Sequence, residues 1–215
     1  MIYLLLADGF EEVEALAPLD LLRRAGAQIC TVAIGTDVPT GSHGIRILCD
    51  VTEKEADPTA ADMLILPGGM PGAENLHASD FVDQAIEAVS KKGGHLAAIC
   101  AAPLVLGRRG LLNKKSAVCY PGFENELVGA KIEKFADVVT DGNITTAKGV
   151  GVAFEFGIAL VHLLFGEEKA NALKNTTMYP KEKNGARVWK IEKEIPSNGS
   201  PSFVSLNEKK FTLSD

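Results

Sequence analysis

The sequence predicts an α/β fold in which a mostly parallel sheet is covered by helices. Two observations carry this. Strand-like and helix-like segments alternate from the N-terminus to about residue 175, the order that builds parallel sheets with helical crossovers. The segment Met63–Leu66 is apolar at every position, as in strands buried on both faces.

The elements follow in order. Residues 2–7 are an apolar first strand. Residues 10–25 carry Val13, Leu16, Ala17 and Leu21 close to a 3.6-residue period, with Gly26 as the C-terminal stop. Pro18 falls inside this helix and predicts a kink or local break. Residues 28–34 form the second strand, and residues 45–48 a short third one near a sheet edge. Met63–Leu66 runs into Pro67-Gly68-Gly69-Met70-Pro71-Gly72, a loop. Residues 80–92 are a helix with Ser79 as N-cap. His95–Ile99 is a strand leading into Cys100, and a helix opens immediately behind it. Residues 116–119 are a short strand. Residues 137–140 and 144–146 flank Asp141-Gly142-Asn143, a hairpin turn signal. Residues 152–165 are a helix apolar almost all round, hence buried. Beyond residue 175 the chain turns rich in Lys, Glu, Ser, Asn and Pro. This divides it into a domain over 1–175 and an extension over 176–215. Residues 187–191 and 202–205 are short strand candidates there, in either a small hairpin or a tail.

Composition narrows the function. A net charge of −6 gives no electrostatic reason to bind nucleic acid. Aromatic residues at 6% argue against base-stacking platforms. No apolar run approaches the ~20 residues of a membrane span. The first residues lack a basic segment and meet Asp8 early, so the expected location is the cytoplasm. Cys30, Cys49, Cys100 and Cys119 show neither a C-x-x-C pair nor zinc spacing and are expected to be free thiols.

Cys100 is the most informative residue. A thiol at a strand-to-helix junction meets unsatisfied backbone N–H groups that favour the thiolate; a buried structural cysteine is the bland alternative. Three segments are expected at the carboxyl edge of the sheet, where open α/β folds place their sites. They are Asp8 to Glu14, Pro67-Gly68-Gly69, and Cys100-Ala101-Ala102. The paired glycines are either a tight turn or a source of oxyanion-binding amides. Glu14 lies a turn inside the first helix. It is either a surface glutamate or a buried carboxyl with a raised pKa. His77 and His95 read as loop or strand-edge residues and His162 as a packing residue. Cys119 is either a resolving thiol or a buried bystander.

Taken together, Asp8-Gly9-Phe10-Glu11-Glu12-Val13-Glu14, Leu66-Pro67-Gly68-Gly69, Ala98-Ile99-Cys100-Ala101-Ala102-Pro103, Lys148-Gly149 and Phe154-Glu155-Phe156 resemble the ThiJ/PfpI superfamily, in the branch of the parkinsonism-associated deglycase. The resemblance covers about residues 1–175. It implies a flavodoxin-like three-layer sandwich, related to class I glutamine amidotransferases. It implies Cys100 as nucleophile and Glu14 as its buried protonated partner. It also implies Gly68, Gly69 and Ala101 as anion-binding amides, and a homodimer pairing near Arg24 and the loop around His43. Tyr120 stands beside the thiol where many relatives carry histidine, and Ala101 where the protease-like branch carries one. Both points argue against a peptidase. The implied activity is cofactor-free and metal-free conversion of small 2-oxoaldehydes or their adducts, of the glyoxalase or deglycase type. The alternative is an oxidative-stress sensor or chaperone working through oxidation of Cys100.

Overall fold

The computed structural model describes residues 1–179 and 190–192. Its central sheet contains β1 (Ile2–Ala7), β2 (Ile29–Ile34), β3 (Val51–Thr52), β4 (Met63–Leu66), β5 (His95–Ile99), β8 (Val138–Asp141), β9 (Ile144–Ala147) and β10 (Lys190–Glu192). Across the sheet the order is β10-β8-β9-β5-β4-β1-β2-β3. All neighbours run parallel except the hairpin pair β8 and β9. A separate two-stranded sheet joins β6 (Ser116–Ala117) to β7 (Lys131–Ile132). The helices are α1 (Glu12–Ala25), α2 (Gly72–His77), α3 (Asp80–Lys91), α4 (Pro103–Gly107) and α5 (Ala153–Thr176).

Strand periodicity sorts the core into two layers. Tyr3, Leu5 and Ala7 of β1 pack with α2, α3 and α4, through residues such as Leu76, Val82, Val89 and Leu104. Ile2, Leu4 and Leu6 point the other way, into α1 and α5 through Leu19, Leu22, Phe156 and Val161. The result is the three-layer sandwich. From β1 the chain winds outward through β2 and β3, then returns to β4 on the opposite side of β1. That reversal opens a crevice at the carboxyl ends of β1 and β4, where parallel α/β sheets bind ligands.

Several expectations are corrected. The third strand is Val51–Thr52, not residues 45–48. Residues 39–47 pair among themselves instead: Gly41 N–H donates to the Ile45 carbonyl at 2.9 Å and Ile47 N–H to the Pro39 carbonyl at 3.0 Å. Pro18 does not break α1, which runs as one helix. It only denies an N–H to the Glu14 carbonyl four residues earlier. The helix behind Cys100 starts later than expected, at Pro103, and is five residues long. Residues 116–119 shrink to a two-residue strand. Gly72–His77, where the sequence predicts no element, forms α2. Ser79 does cap α3, its side chain accepting from Val82 N–H. In the extension, residues 190–192 pair with β8, while residues 187–189 and the candidate at 202–205 lie outside the described residues.

Helix α5 is long and apolar enough, by length and composition alone, to cross a membrane. In the fold it is a core helix. Phe156, Leu160 and Val161 are fully buried against α1 and the sheet, and Gly166 interrupts it with a left-handed φ of 82°. Gly157 lets α5 approach α1. A Cβ there would lie 2.7 Å from Leu21 Cδ1 and 3.0 Å from Pro18 Cα. Gly157→Val is therefore expected to lower unfolding stability by about 2 kcal/mol through overpacking. Urea denaturation reads this directly, and an unchanged midpoint would mean the two helices separate without cost.

Candidate functional site

Cys100 follows β5 directly and adopts φ 65°, a left-handed conformation that a non-glycine side chain holds only under constraint. Two backbone bonds impose it. Its N–H donates to the Ala147 carbonyl at the end of β9 at 2.9 Å, and its carbonyl accepts from Tyr120 N–H at 2.8 Å. The side chain is thereby turned toward the β4 loop and the N-terminus of α1.

That loop is held just as firmly. Gly68 N–H donates to Glu14 Oε2 at 3.0 Å, and the Gly68 carbonyl accepts from Glu11 N–H at 2.9 Å. Glu11 in turn caps α1, its Oε2 accepting from Glu14 N–H at 2.7 Å. A Cβ on Gly68 would stand 2.6 Å from Cys100 Cβ and 2.6 Å from Glu14 Oε2, so this position has no room for a side chain. Gly69, at φ 86°, sits so close to Gly9 and Glu11 that a Cβ would reach 2.4 Å from the Gly9 carbonyl oxygen.

The structure brings Cys100, Glu14, Gly68, Gly69 and Ala101 into one site. The amides of Gly69 and Ala101 bond the sulfur and pull the thiol pKa down. The Gly68 amide is corrected: it is spent on Glu14 and is not free for an anion. Glu14 is fully buried, not on the surface. Its Oε1 is buried and has no hydrogen-bond partner. Burial pushes its carboxyl up to about 7.

The electrostatics correct the expectation of a ready thiolate. Burial pushes the Cys100 thiol up to about 12, aided by the Glu14 charge and hydrogen bond, against the smaller pull of the two amides. The helix behind it is only five residues long, too short for a strong dipole. The thiol and the carboxyl oppose each other's ionisation. They act as one acid pair sharing a proton, and the thiolate becomes accessible when Glu14 carries that proton.

Tyr120 is half-exposed and joins the site through its backbone bond to Cys100. Cys119 is buried in the α2–α4 layer, while Cys100 packs against the α1–α5 layer. His95 is a fully buried strand residue whose Nε2 pairs with Thr145 Oγ1 at 2.8 Å. Burial pushes it down to about 3, so it is neutral. His77 is bound by Arg109. His162 is half-buried on α5.

Among the described residues, Glu11, Glu12 and His43 form one group with metal-type ligand atoms within 4.8 Å. The Glu12 carboxylate is already filled. It accepts from His43 N–H at 2.7 Å, Ile45 N–H at 3.4 Å and Ser42 Oγ at 3.4 Å, and pairs with His43 Nδ1 at 2.9 Å. The positive end of α1 also lies beneath it, disfavouring a cation. The group clasps the 41–45 loop to α1. Sequence reasoning missed Glu11 as the residue that holds Gly68; its place as helix cap before an apolar period was the available signal.

A strained thiol elbow beside a buried carboxyl, at the switch point of a parallel sheet, defines an α/β protein organised around one acid–thiol pair. The chain belongs to the DJ-1/PfpI family, whose model matches residues 1–163. It is similar to Protein DJ-1 homolog B of Arabidopsis thaliana, 36% identical over 166 residues, covering 76% of this chain and 38% of that protein. The chain thus spans about two fifths of the length of that relative. The Glutathione-independent glyoxalase DJR-1.2 of Caenorhabditis elegans is 32% identical over 171 residues, covering 79% of this chain and 91% of that protein. The solved structure titled Toxoplasma gondii DJ-1, oxidized, superposes with a TM-score of 0.79 at 30% identity, covering 84% of this chain and 98% of that one. Family membership and the flavodoxin-like sandwich follow.

The raised Glu14 pKa has a thermodynamic consequence. Its folded value lies above the unfolded value of 4.5, so between these pH values the folded state binds more protons and stability falls as pH rises. The loss reaches up to about 3 kcal/mol by neutral pH. Glu14→Gln removes it. Urea unfolding is expected to show the variant gaining on the wild type between about pH 5 and about pH 8. A difference that stays constant would return Glu14 to the normal carboxylate range.

Proposed function

We propose that this chain is a cysteine-dependent enzyme acting on small 2-oxoaldehydes or their adducts. The Cys100–Glu14 pair carries the reading: a nucleophile and a proton carrier in contact, with the carboxyl pushed up to about 7 and one of its oxygens unpartnered. A carboxyl poised near neutrality both takes and gives protons efficiently. The C. elegans relative named as a glutathione-independent glyoxalase supports the substrate class.

With methylglyoxal, the Cys100 sulfur attacks the aldehyde carbon and the carbonyl oxygen becomes an alkoxide beside the Gly69 and Ala101 amides. Protonation gives the hemithioacetal. Glu14 then removes the proton from that carbon and delivers a proton to the neighbouring ketone carbon. The aldehyde carbon is oxidised and the ketone carbon reduced, leaving a lactoyl thioester. Water cleaves the thioester, releasing lactate and restoring the thiol. The balance is methylglyoxal plus one water giving lactate. The chemistry draws on the thiol and the carboxyl alone.

Lactate formed from methylglyoxal without glutathione is the test. Cys100→Ser is expected to abolish it, and Glu14→Gln to lower it by about 10²-fold or more. A well-folded wild type that makes no lactate would remove the reading. A second reading, oxidative sensing through Cys100, is favoured by the solved structure titled as oxidized. In that reading the thiolate reduces one peroxide to water and becomes the sulfenic acid, and a second peroxide, also reduced to water, takes it to the sulfinic acid. Glu14→Gln separates the two, because it ends proton transfer while only partly weakening sulfinate formation.

The proposal includes self-pairing. Val13 on α1, together with Ile45 and Leu48, exposes apolar side chains, and Arg24 lies on the same helix. Sedimentation at twice the monomer mass is expected, lost in Val13→Glu. A monomer at micromolar concentration would remove the pairing.

A further inference from the structure

The thiol stands between two glycines that differ in the room they leave. On the Gly68 side there is none, since a Cβ there would lie 2.6 Å from Cys100 Cβ. On the Gly149 side, a Cβ would lie 4.0 Å from Cys100 Sγ and 3.3 Å from Tyr120 Cδ2. A methyl there would touch the sulfur and press on the tyrosine ring. Two clefts among the described residues lie away from the thiol. One, of about 720 Å³, is lined by residues such as Asp8, Glu53 and Phe81, and the other, of about 390 Å³, by residues such as Arg109 and Leu111. On this side the sulfur is approached through a notch between the Gly149 backbone and the Tyr120 ring.

We infer that Gly149 and Tyr120 set the width of the substrate: the notch admits free two- and three-carbon 2-oxoaldehydes and excludes those with a bulky group on the ketone carbon, macromolecular adducts included. The inference rests on the 2-oxoaldehyde reading and narrows it. The position a Gly149 side chain would take lies 4.0 Å from Sγ, on the path of a carbon approaching the sulfur from this side. The glycine is not needed for its backbone. Gly149 has φ 164° and ψ −171°, extended geometry open to any residue, so its lack of a side chain has a steric purpose at the thiol. Tyr120 is placed by its own N–H on the Cys100 carbonyl. Its half-exposed ring forms the outer wall.

The experiment compares wild type, Gly149→Ala and Tyr120→Ala in two assays. One is turnover of methylglyoxal and phenylglyoxal. The other is alkylation of Cys100 by iodoacetamide and by a fluorescein-bearing iodoacetamide, read by mass spectrometry. Gly149→Ala is expected to slow methylglyoxal turnover and iodoacetamide alkylation by about tenfold or more, the scale of one misplaced methylene. The pH midpoint of alkylation stays in place, because no charge changes. Tyr120→Ala is expected to raise the bulky-to-small ratio in both assays by about tenfold. A folded Gly149→Ala within twofold of wild type, or an unchanged size ratio in Tyr120→Ala, overturns the inference. A wild type that makes no lactate removes the proposed function, yet the alkylation ratios still decide whether the notch selects by size.

Discussion

The hydrogen bond from Gly68 N–H to Glu14 Oε2 is the contact on which the site depends. It ties the first turns of α1 to the loop leaving β4. The next peptide, which joins the Gly68 carbonyl to the Gly69 N–H, accepts from Glu11 N–H through that carbonyl, so it is held against rotation. With it fixed, the Gly69 amide faces the sulfur and the carboxyl is delivered to Cys100. Both elements start from neighbouring strands at the sheet's reversal point, so the topology places them together and the hydrogen bond sets their distance. Without that bond, Glu14 would be a buried carboxyl with only the thiol as a partner, a costly state.

The site stores unfavourable terms that a purely structural region would shed. Cys100 holds a left-handed backbone conformation, worth of order 1–3 kcal/mol of strain. Glu14 is a buried acid with an unpartnered oxygen, next to a thiol whose ionisation it opposes. The layers on either side, filled by residues such as Leu66, Leu104, Phe10 and Phe156, supply the stability that holds this arrangement. Each large apolar side chain contributes roughly 1.5–3 kcal/mol. A shared proton is what the arrangement yields, since neither group ionises independently of the other.

Much of this was legible in the order of residues. The strands β1, β4 and β5 and the cap of α3 were evident because local periodicity and turn chemistry decide them. The resemblance singled out Cys100 and Glu14 from an ordered set of short motifs. What escaped was decided by contacts distant in sequence. Residues 45–48 look like a strand, yet the loop closes on itself and around Glu12. Pro18 reads as a helix breaker, yet α5 lies across it through Gly157. The helix dipole expected behind Cys100 belongs to a helix too short to carry it.

By itself, the sequence determined the alternation of elements and the parallel sheet, and its family resemblance pointed to the thiol and the carboxyl. Periodicity and residue chemistry are properties of single segments. Only the tertiary structure decided that the Gly68 amide serves Glu14 rather than an anion and that burial pushes the thiol pKa up. It also decided that Gly149 and Tyr120 bound the sulfur. The reason is physical: a pKa is set by burial and by the charges of neighbours, and an amide's role by where its N–H points. Both are fixed where the segments meet.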